Sequence, residues 1–378
     1  MGIADFLLAE ARRHPSVMPQ DMVKLCYQAA FGAEHGLSDV SRALAYFNEE
    51  YDATLVDDKP LIECIGPMVC RVNMSAWKRL ELDPVWLWNL FVASVSGAVQ
   101  QDSKACEYSS APVSSTASLS CSATAEVGLP KGSISFDCCI AEVEILAQAE
   151  ALPFSIAQWY EYIRGYNGGP VRHSEKYREN EKPAYRIATG WTAAMLPVFE
   201  GMTGRDGGVI AIDGRAAAGK STFAKRLAKI IAGDKSIVAE MDHFFLPPKL
   251  RTVERLATPG GNIHSERFVE EVLPMIGAVE EFSYRRFDCA SMDYNGTIAI
   301  DAHLWRIVEG VYSCHPIFGN YMNIRVFLDV DPETQRVRIE KRNNPKIAAD
   351  YLAKWISMEE TYFETYDIRE SADMVLRM

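Results

Sequence analysis

Between positions 214 and 221 the chain reads Gly214-Arg215-Ala216-Ala217-Ala218-Gly219-Lys220-Ser221, the spacing Gly-x-x-x-x-Gly-Lys-Ser/Thr. This motif dictates its surroundings, because it works as the turn between a strand and a helix. Both are legible. Residues 208–213 form a short apolar run with the β-branched Val209, Ile210 and Ile212, and residues 221–231 carry apolar positions at helical spacing. The glycines permit a sharp reversal in which successive amide N–H groups point inward, and they allow a close backbone approach to a ligand. The following helix adds free N–H groups and the positive end of its dipole. Gly214, Ala216, Ala217, Ala218 and Gly219 are therefore the expected cradle for the phosphates of a nucleotide. Lys220 would supply a charge to the β- and γ-phosphates, and Ser221, followed by Thr222, a hydroxyl for a magnesium ion.

Strand-like and helical stretches alternate after this point. Residues 236–241, 304–308, 324–330 and 373–376 read as further strands, nearly continuous in their apolar residues. That pattern predicts an α/β domain with a parallel sheet covered by helices on both faces. In such sheets ligands bind beyond the C-terminal strand ends. Two acids fall at such ends. Asp242 closes the second strand and could take a proton from an acceptor hydroxyl or orient magnesium, and Glu309 closes the third with the same placement. The alternative is that both merely cap strands. Asp331-Pro332 reads as a helix start, with Asp331 as the cap. In the helix beyond it Arg338 and Arg342 lie four apart on one face, fit to neutralise charge on a transferring phosphoryl group or simply to be solvated.

The chain is 378 residues long, more than one ordinary domain, and the Gly-rich polar stretch at 201–208 marks a boundary. The expected units are residues 1–200, mainly helical, and residues 205–378, the α/β domain. Helical spacing is clear at 3–51, 84–99, 140–150 and 155–165, while 102–135 is rich in Ser, Ala and Thr and predicts a mobile loop. The net charge is −12. Neither half carries the basic excess that binding a nucleic acid polymer needs. No stretch approaches a membrane span, which needs about 20 apolar residues. The nine cysteines include no Cys-x-x-Cys pair, which argues for reduced thiols and a cytoplasmic chain rather than a disulfide framework. In the first half His35, Arg71, His173, Tyr177 and Arg186 are a polar set that could line a pocket or serve as satisfied structural partners.

The segments IAIDGRAAAGKST, AEMDHFFLPP, RFDC, VEGVYS, RVFLDVDPETQRVRIEKRN and ADMVL occur in one order. In that order the second half resembles the uridine kinase and phosphoribulokinase-like group of P-loop kinases. The resemblance implies ATP and Mg²⁺ as cofactors and a small hydroxyl-bearing substrate, a nucleoside first; homo-oligomerisation is compatible with it. It implies Asp242 as catalytic base, Phe245 near the nucleoside, Glu309 as a magnesium holder, Phe287 and Asp288 as pocket lining, and Arg338 and Arg342 as lid arginines. It also shows departures. The histidine that reads the pyrimidine has no match, and Met292 stands near that place; His264 or Arg267 is the available substitute. Phosphotransfer to a sugar or a pantothenate-like acid therefore stays open. So does a nucleotide-gated module that controls the first half.

Overall fold

The computed structural model describes residues 2–32, 40–101 and 134–377, with side chains beyond position 95 described again from 134. The expected loop at 102–135 falls almost wholly outside these residues, as do His35, Cys106 and Cys121. The chain divides into two compact units, one running to Leu196 and one from Pro197. The division precedes the Gly-rich stretch because the helix Leu196–Met202, apart from its first residue, belongs to the second unit. A side chain at Gly201 would meet Met374 and Ile324 at 3.3–3.7 Å.

In the first unit the helices Ile3–Arg13, Pro19–Phe31, Val40–Ala53, Pro84–Gln101, Phe136–Gln148 and Ile156–Gly165 follow the helical spacing of the sequence. Pro19 starts its helix as a residue without a needed N–H should, and Asp21 Oδ2 accepts the Met18 N–H at 3.0 Å. The unit also holds a three-stranded antiparallel sheet that the sequence did not announce: β1 (Ile62–Gly66), β2 (Val69–Asn73) and β3 (Tyr185–Thr189), with β2 in the middle. Its core is built on Met22, Val23, Cys26, Trp77 and Trp159, all fully buried.

The second unit is organised by a five-stranded parallel sheet. Its strands are β4 (Gly208–Gly214), β5 (Val238–Glu240), β8 (Trp305–Glu309), β9 (Ile324–Asp329) and β10 (Met374–Arg377), in the order β10-β9-β4-β8-β5. Between β5 and β8 the chain makes a separate antiparallel hairpin, β6 (Phe282–Asp288) and β7 (Asp293–Ile300). β8 is buried along its whole length, and β4 and β9 nearly so, which accounts for their unbroken apolar runs. The helix Lys220–Ala232 packs on the sheet through Phe223, Ala224, Leu227, Ala228 and Ile231. The chain leaves β4 towards one edge, returns, and then moves to the other side. β4 is thus the switch point beyond which a crevice opens.

After β9, Asp331 Oδ1 accepts the Thr334 N–H at 2.9 Å and starts the helix Pro332–Arg342, as its sequence predicts. A further helical run begins at Pro345, passes through one π-helical turn at Tyr351–Trp355 and continues to Thr365. Its Phe363 ring meets Phe327 of β9 edge-on at 5.1 Å.

Candidate active site

The loop after β4 takes the geometry its glycines forecast. Gly214 has φ +131°, and a Cβ there would stand 2.1 Å from the Leu328 carbonyl oxygen of β9. No other residue fits where β4 and β9 approach so closely. Gly219, at φ +93°, caps the helix Lys220–Ala232. Between them Ala217 is itself left-handed at φ +59°. Ala216 and Ala218 are buried. Ala216 and Ala217 pack against Ile339, Ala348, Tyr351 and Ile356 of the two C-terminal helical runs, so this side of the loop is covered by apolar side chains.

Lys220 is buried and curls back to donate to the carbonyls of Gly214 at 2.7 Å and Arg215 at 2.9 Å. Ser221 and Thr222 follow, both exposed at the helix start. Glu309 is 3% exposed at the end of β8 and hydrogen-bonds Ser221. Burial pushes its carboxyl up to about 7; Ser221 and Lys220 pull it down, and Asp242 and Glu240 push it up further. Asp242 follows β5, whose last residue Glu240 is in register with Glu309. Asp242 is itself exposed. Even so, lost hydration raises its carboxyl, with Lys220, His243 and Arg342 opposing and Glu240 reinforcing. Lys220, Ser221, Asp242 and Glu309, expected from separate sequence segments, are thus brought to one crevice.

The lid pair is placed unequally. Arg338 Nη1 donates to the Ala217 carbonyl at 3.2 Å and so touches the loop directly. Arg342 is exposed, lies 5.9 Å from the Tyr351 ring and acts on Asp242 through its field.

The expected acceptor residues are scattered. Phe245 is partly buried and packs on the core of the unit. His264 caps the helix Ser265–Glu271, its Nδ1 accepting the Arg267 N–H, and lines an open cleft with Leu246, Leu250, Thr252, Arg255 and Glu266. Asp288 accepts the Ala290 N–H at 2.9 Å, a turn contact that holds its carboxyl low. Two expectations are corrected. Arg267 is 2% exposed: its Nη2 donates to the carbonyls of His243 and Arg285, and its guanidinium lies 4.2 Å from the centre of the Phe244 ring. It braces the chain from inside rather than facing a ligand. Phe287 is 1% exposed and meets Tyr294 edge-on across the hairpin, so its ring is core, not lining. The hairpin turn instead brings Cys289 close to Asp242, its Sγ 3.9 Å from the Asp242 carbonyl.

Three residues of the site escape motif reading. Asp213, fully buried at the end of β4, accepts the N–H groups of Gly214 (2.7 Å), Tyr312 (3.2 Å) and Cys314 (3.0 Å) and the Tyr362 hydroxyl (2.9 Å). An acid inside an apolar strand was its only signal. Glu359 accepts the Ala216 N–H at 3.0 Å. Burial drives its carboxyl up to about 7, with Lys220 and the Ala216 N–H opposing and Asp213 and Asp242 adding to the rise. Gln335 donates to the Ala216 carbonyl at 3.1 Å. Neither Glu359 nor Gln335 has a local signal, since each meets the loop from more than a hundred residues away.

Of the polar set of the first unit, Arg71, His173 and Tyr177 share a buried network. Arg71 Nη1 donates to both oxygens of Glu10 at 2.7 and 2.9 Å, His173 bridges Asp21 (2.9 Å) and the Tyr185 hydroxyl (2.7 Å), and Tyr177 stacks on His173. Arg186 pairs with Glu50 and lies over Phe47. Glu10, His14 and Glu63 bring ligand atoms within 4.8 Å of one another, a metal-like grouping. Arg71 already supplies positive charge there, 3.9 Å from Glu63. Burial would lower His14, but Glu63, Glu10 and Glu181 outweigh it and raise its imidazole.

No known family model and no curated protein matches the sequence. Among solved structures the chain is similar to a "Possible Uridine Kinase" from Bacillus stearothermophilus, at 16% identity and TM-score 0.38, over 48% of this chain and 95% of that one. It is also similar to a "putative fructose transport system kinase" from Silicibacter sp. TM1040, at 18% identity and TM-score 0.38, over 50% of this chain and 99% of that one. Likeness at this level assigns neither family nor activity. Among the described residues no helix is long and apolar enough to cross a membrane.

Proposed function

We propose that the second unit transfers a phosphoryl group from MgATP to the hydroxyl of a small metabolite. One observation carries this reading: Lys220, Ser221, Glu309 and Asp242 converge at the C-terminal ends of β4, β8 and β5, around a loop with phosphate-cradle geometry. The donor set fits a bound triphosphate and its cation. Gly219, at φ +93° with no atom within 4 Å of where a Cβ would stand, leaves the mouth of the loop open. Glu309 is a buried carboxylate beside a hydroxyl, pushed up to about 7 by burial, with Asp242 and Glu240 adding to the rise and Ser221 and Lys220 opposing it. The amides of 217 and 219–221 and Lys220 would hold the phosphates, and Ser221 and Glu309 the cation; the Ala216 amide is taken by Glu359 and the Ala218 amide by the Arg215 carbonyl. When bound, MgATP supplies the phosphoryl group and the charge that stabilises its transfer.

The chain's own residues do the rest. Asp242 receives the acceptor hydroxyl as a hydrogen-bond acceptor and takes its proton; its raised carboxyl makes it a better base near neutrality. Arg338, anchored on Ala217, holds the lid helix on the loop, and Arg342 brings positive charge to the side of Asp242. The apolar side chains of Ile339, Tyr351 and Ile356 cover Ala216 and Ala217 and leave Gly219 and Ser221 open to a ligand.

A nucleoside such as uridine or cytidine, through its 5′-hydroxyl, is the first acceptor to test. A non-nucleoside acceptor is the second reading, favoured by a specific observation: the Phe287 ring, which would have flanked a base, is buried in the hairpin. Measuring ADP release with MgATP against a panel of nucleosides, sugars and hydroxy acids separates the two. ADP release that depends on no acceptor in the panel, with no phosphorylated product by mass spectrometry, would overturn the proposal.

A further inference from the structure

Among the described residues the first unit carries two close thiol pairs, and they differ in one respect. Cys26 and Cys139 touch each other, but both are sealed in the core. Cys64 and Cys70 face each other across the β1–β2 ladder as direct register partners, with Sγ atoms 3.6 Å apart, and Cys64 lies exposed on the edge strand. We propose that Cys64 and Cys70 form a reversible dithiol–disulfide site that a hydroperoxide oxidises.

The geometry suits the bond. Residues directly opposite in an antiparallel ladder have Cα atoms about 4.5–5.5 Å apart, inside the range of about 4.4–6.8 Å that disulfides span. Only side-chain rotation has to close the remaining gap between the sulfurs. The chemistry suits it too. A hydrogen bond from Cys70 lowers the Cys64 thiol to about 7; burial opposes this, and the nearby Arg13 charge adds to it. A thiolate is therefore present at neutral pH on the accessible partner of the pair. Among the described residues no further His, Cys or carboxylate joins this pair as a metal-ligand cluster.

The step balances as follows. The Cys64 thiolate attacks one peroxide oxygen, the O–O bond breaks, and hydroxide leaves, giving Cys64 sulfenic acid. The Cys70 sulfur then displaces the sulfenic oxygen as hydroxide, its own proton going to solvent base. The sum is two thiols and one hydrogen peroxide to one disulfide and two waters, with the sulfurs losing two electrons and the peroxide gaining them. A dithiol reductant reverses it. The neighbours on the same strands, Glu63 and Arg71, are register partners and point into the buried ion network, so the new bond would tighten the hairpin that carries them.

The test uses the full chain in its native state. It is treated with a small excess of hydrogen peroxide, alkylated and digested without reductant. The peptide containing Cys64 and Cys70 should be lighter by two hydrogens and unalkylated, and dithiothreitol should restore both alkylations. Cys289 is an internal control, exposed but with its thiol pushed by burial up to about 11. Allowing for the lower intrinsic nucleophilicity of a more acidic thiol, Cys64 should react with iodoacetamide at pH 7.5 roughly twentyfold faster than Cys289. Cys70→Ser should leave a sulfenic acid on Cys64 that dimedone traps, and Cys64→Ser should leave Cys70 reduced. Full alkylation of both thiols after peroxide, or pairing of Cys64 with Cys106, Cys121 or a second chain, would overturn the proposal.

Discussion

Glu359→Gln isolates the most unusual contact of the phosphate loop. The carboxylate is 8% exposed, reaches the Ala216 N–H from the C-terminal helix, and titrates near 7 rather than near 4.5 because it is buried beside Asp213 and Asp242. Between about 4.5 and about 7 the folded chain keeps a proton that the unfolded chain has released, so stability falls as the pH rises through that window and levels off above it. At roughly 1.4 kcal/mol per pH unit the full cost above pH 7 is about 3 kcal/mol. Glutamine keeps an oxygen for Ala216 and removes the titration. The variant should therefore gain on the parent as the pH rises, the gap widening by about 2 kcal/mol between pH 5.5 and pH 8.5. Hydrogen exchange of peptides from β4 and the helix Lys220–Ala232, read by mass spectrometry in the full chain, reports the stability of this unit alone. A gap that does not change with pH, or a parent that outlasts the variant at pH 8.5, would refute the reasoning. It would mean that the ionised carboxylate is stabilised where it sits.

Asp242→Asn should lower turnover by about 10²–10⁴-fold with nucleotide affinity nearly unchanged, as measured by ADP release and calorimetry in parallel. Glu309→Gln should raise the magnesium concentration needed for half-maximal activity, and it should abolish a proton release on MgATP binding that the parent shows below about pH 7, where Glu309 is still protonated. Asp213→Ala should destabilise the second unit by about 4 kcal/mol or more in urea unfolding, because three amide N–H groups and the Tyr362 hydroxyl lose a buried acceptor. Gly214→Ala should leave that unit misfolded or unable to bind nucleotide by calorimetry, since the added carbon meets the Leu328 carbonyl.

What was legible in the sequence is what is local. The loop at 214–221 lies within one short segment whose glycines are forced by backbone geometry, and Asp242 and Glu309 could be placed because each ends a readable strand. Asp331 announced its helix because a cap acts three residues away. The β6–β7 hairpin was hidden because its turn uses Met292 in the left-handed region rather than the Asn or Gly that normally marks one. The sheet of the first unit was hidden for another reason: its strands are five residues long, and β3 joins from more than a hundred positions away. Arg267 and Phe287 were misplaced because sequence order cannot tell a side chain facing a crevice from one facing the core beneath it. Glu359 and Gln335 depend on how the C-terminal helices fold back over the loop, which no local pattern records.

Titration calorimetry of the full chain with ATP in the presence of magnesium tests the central claim most directly. The account predicts saturable one-site binding that Lys220→Ala weakens by at least tenfold. No measurable heat with ATP or with any other nucleoside triphosphate would contradict it.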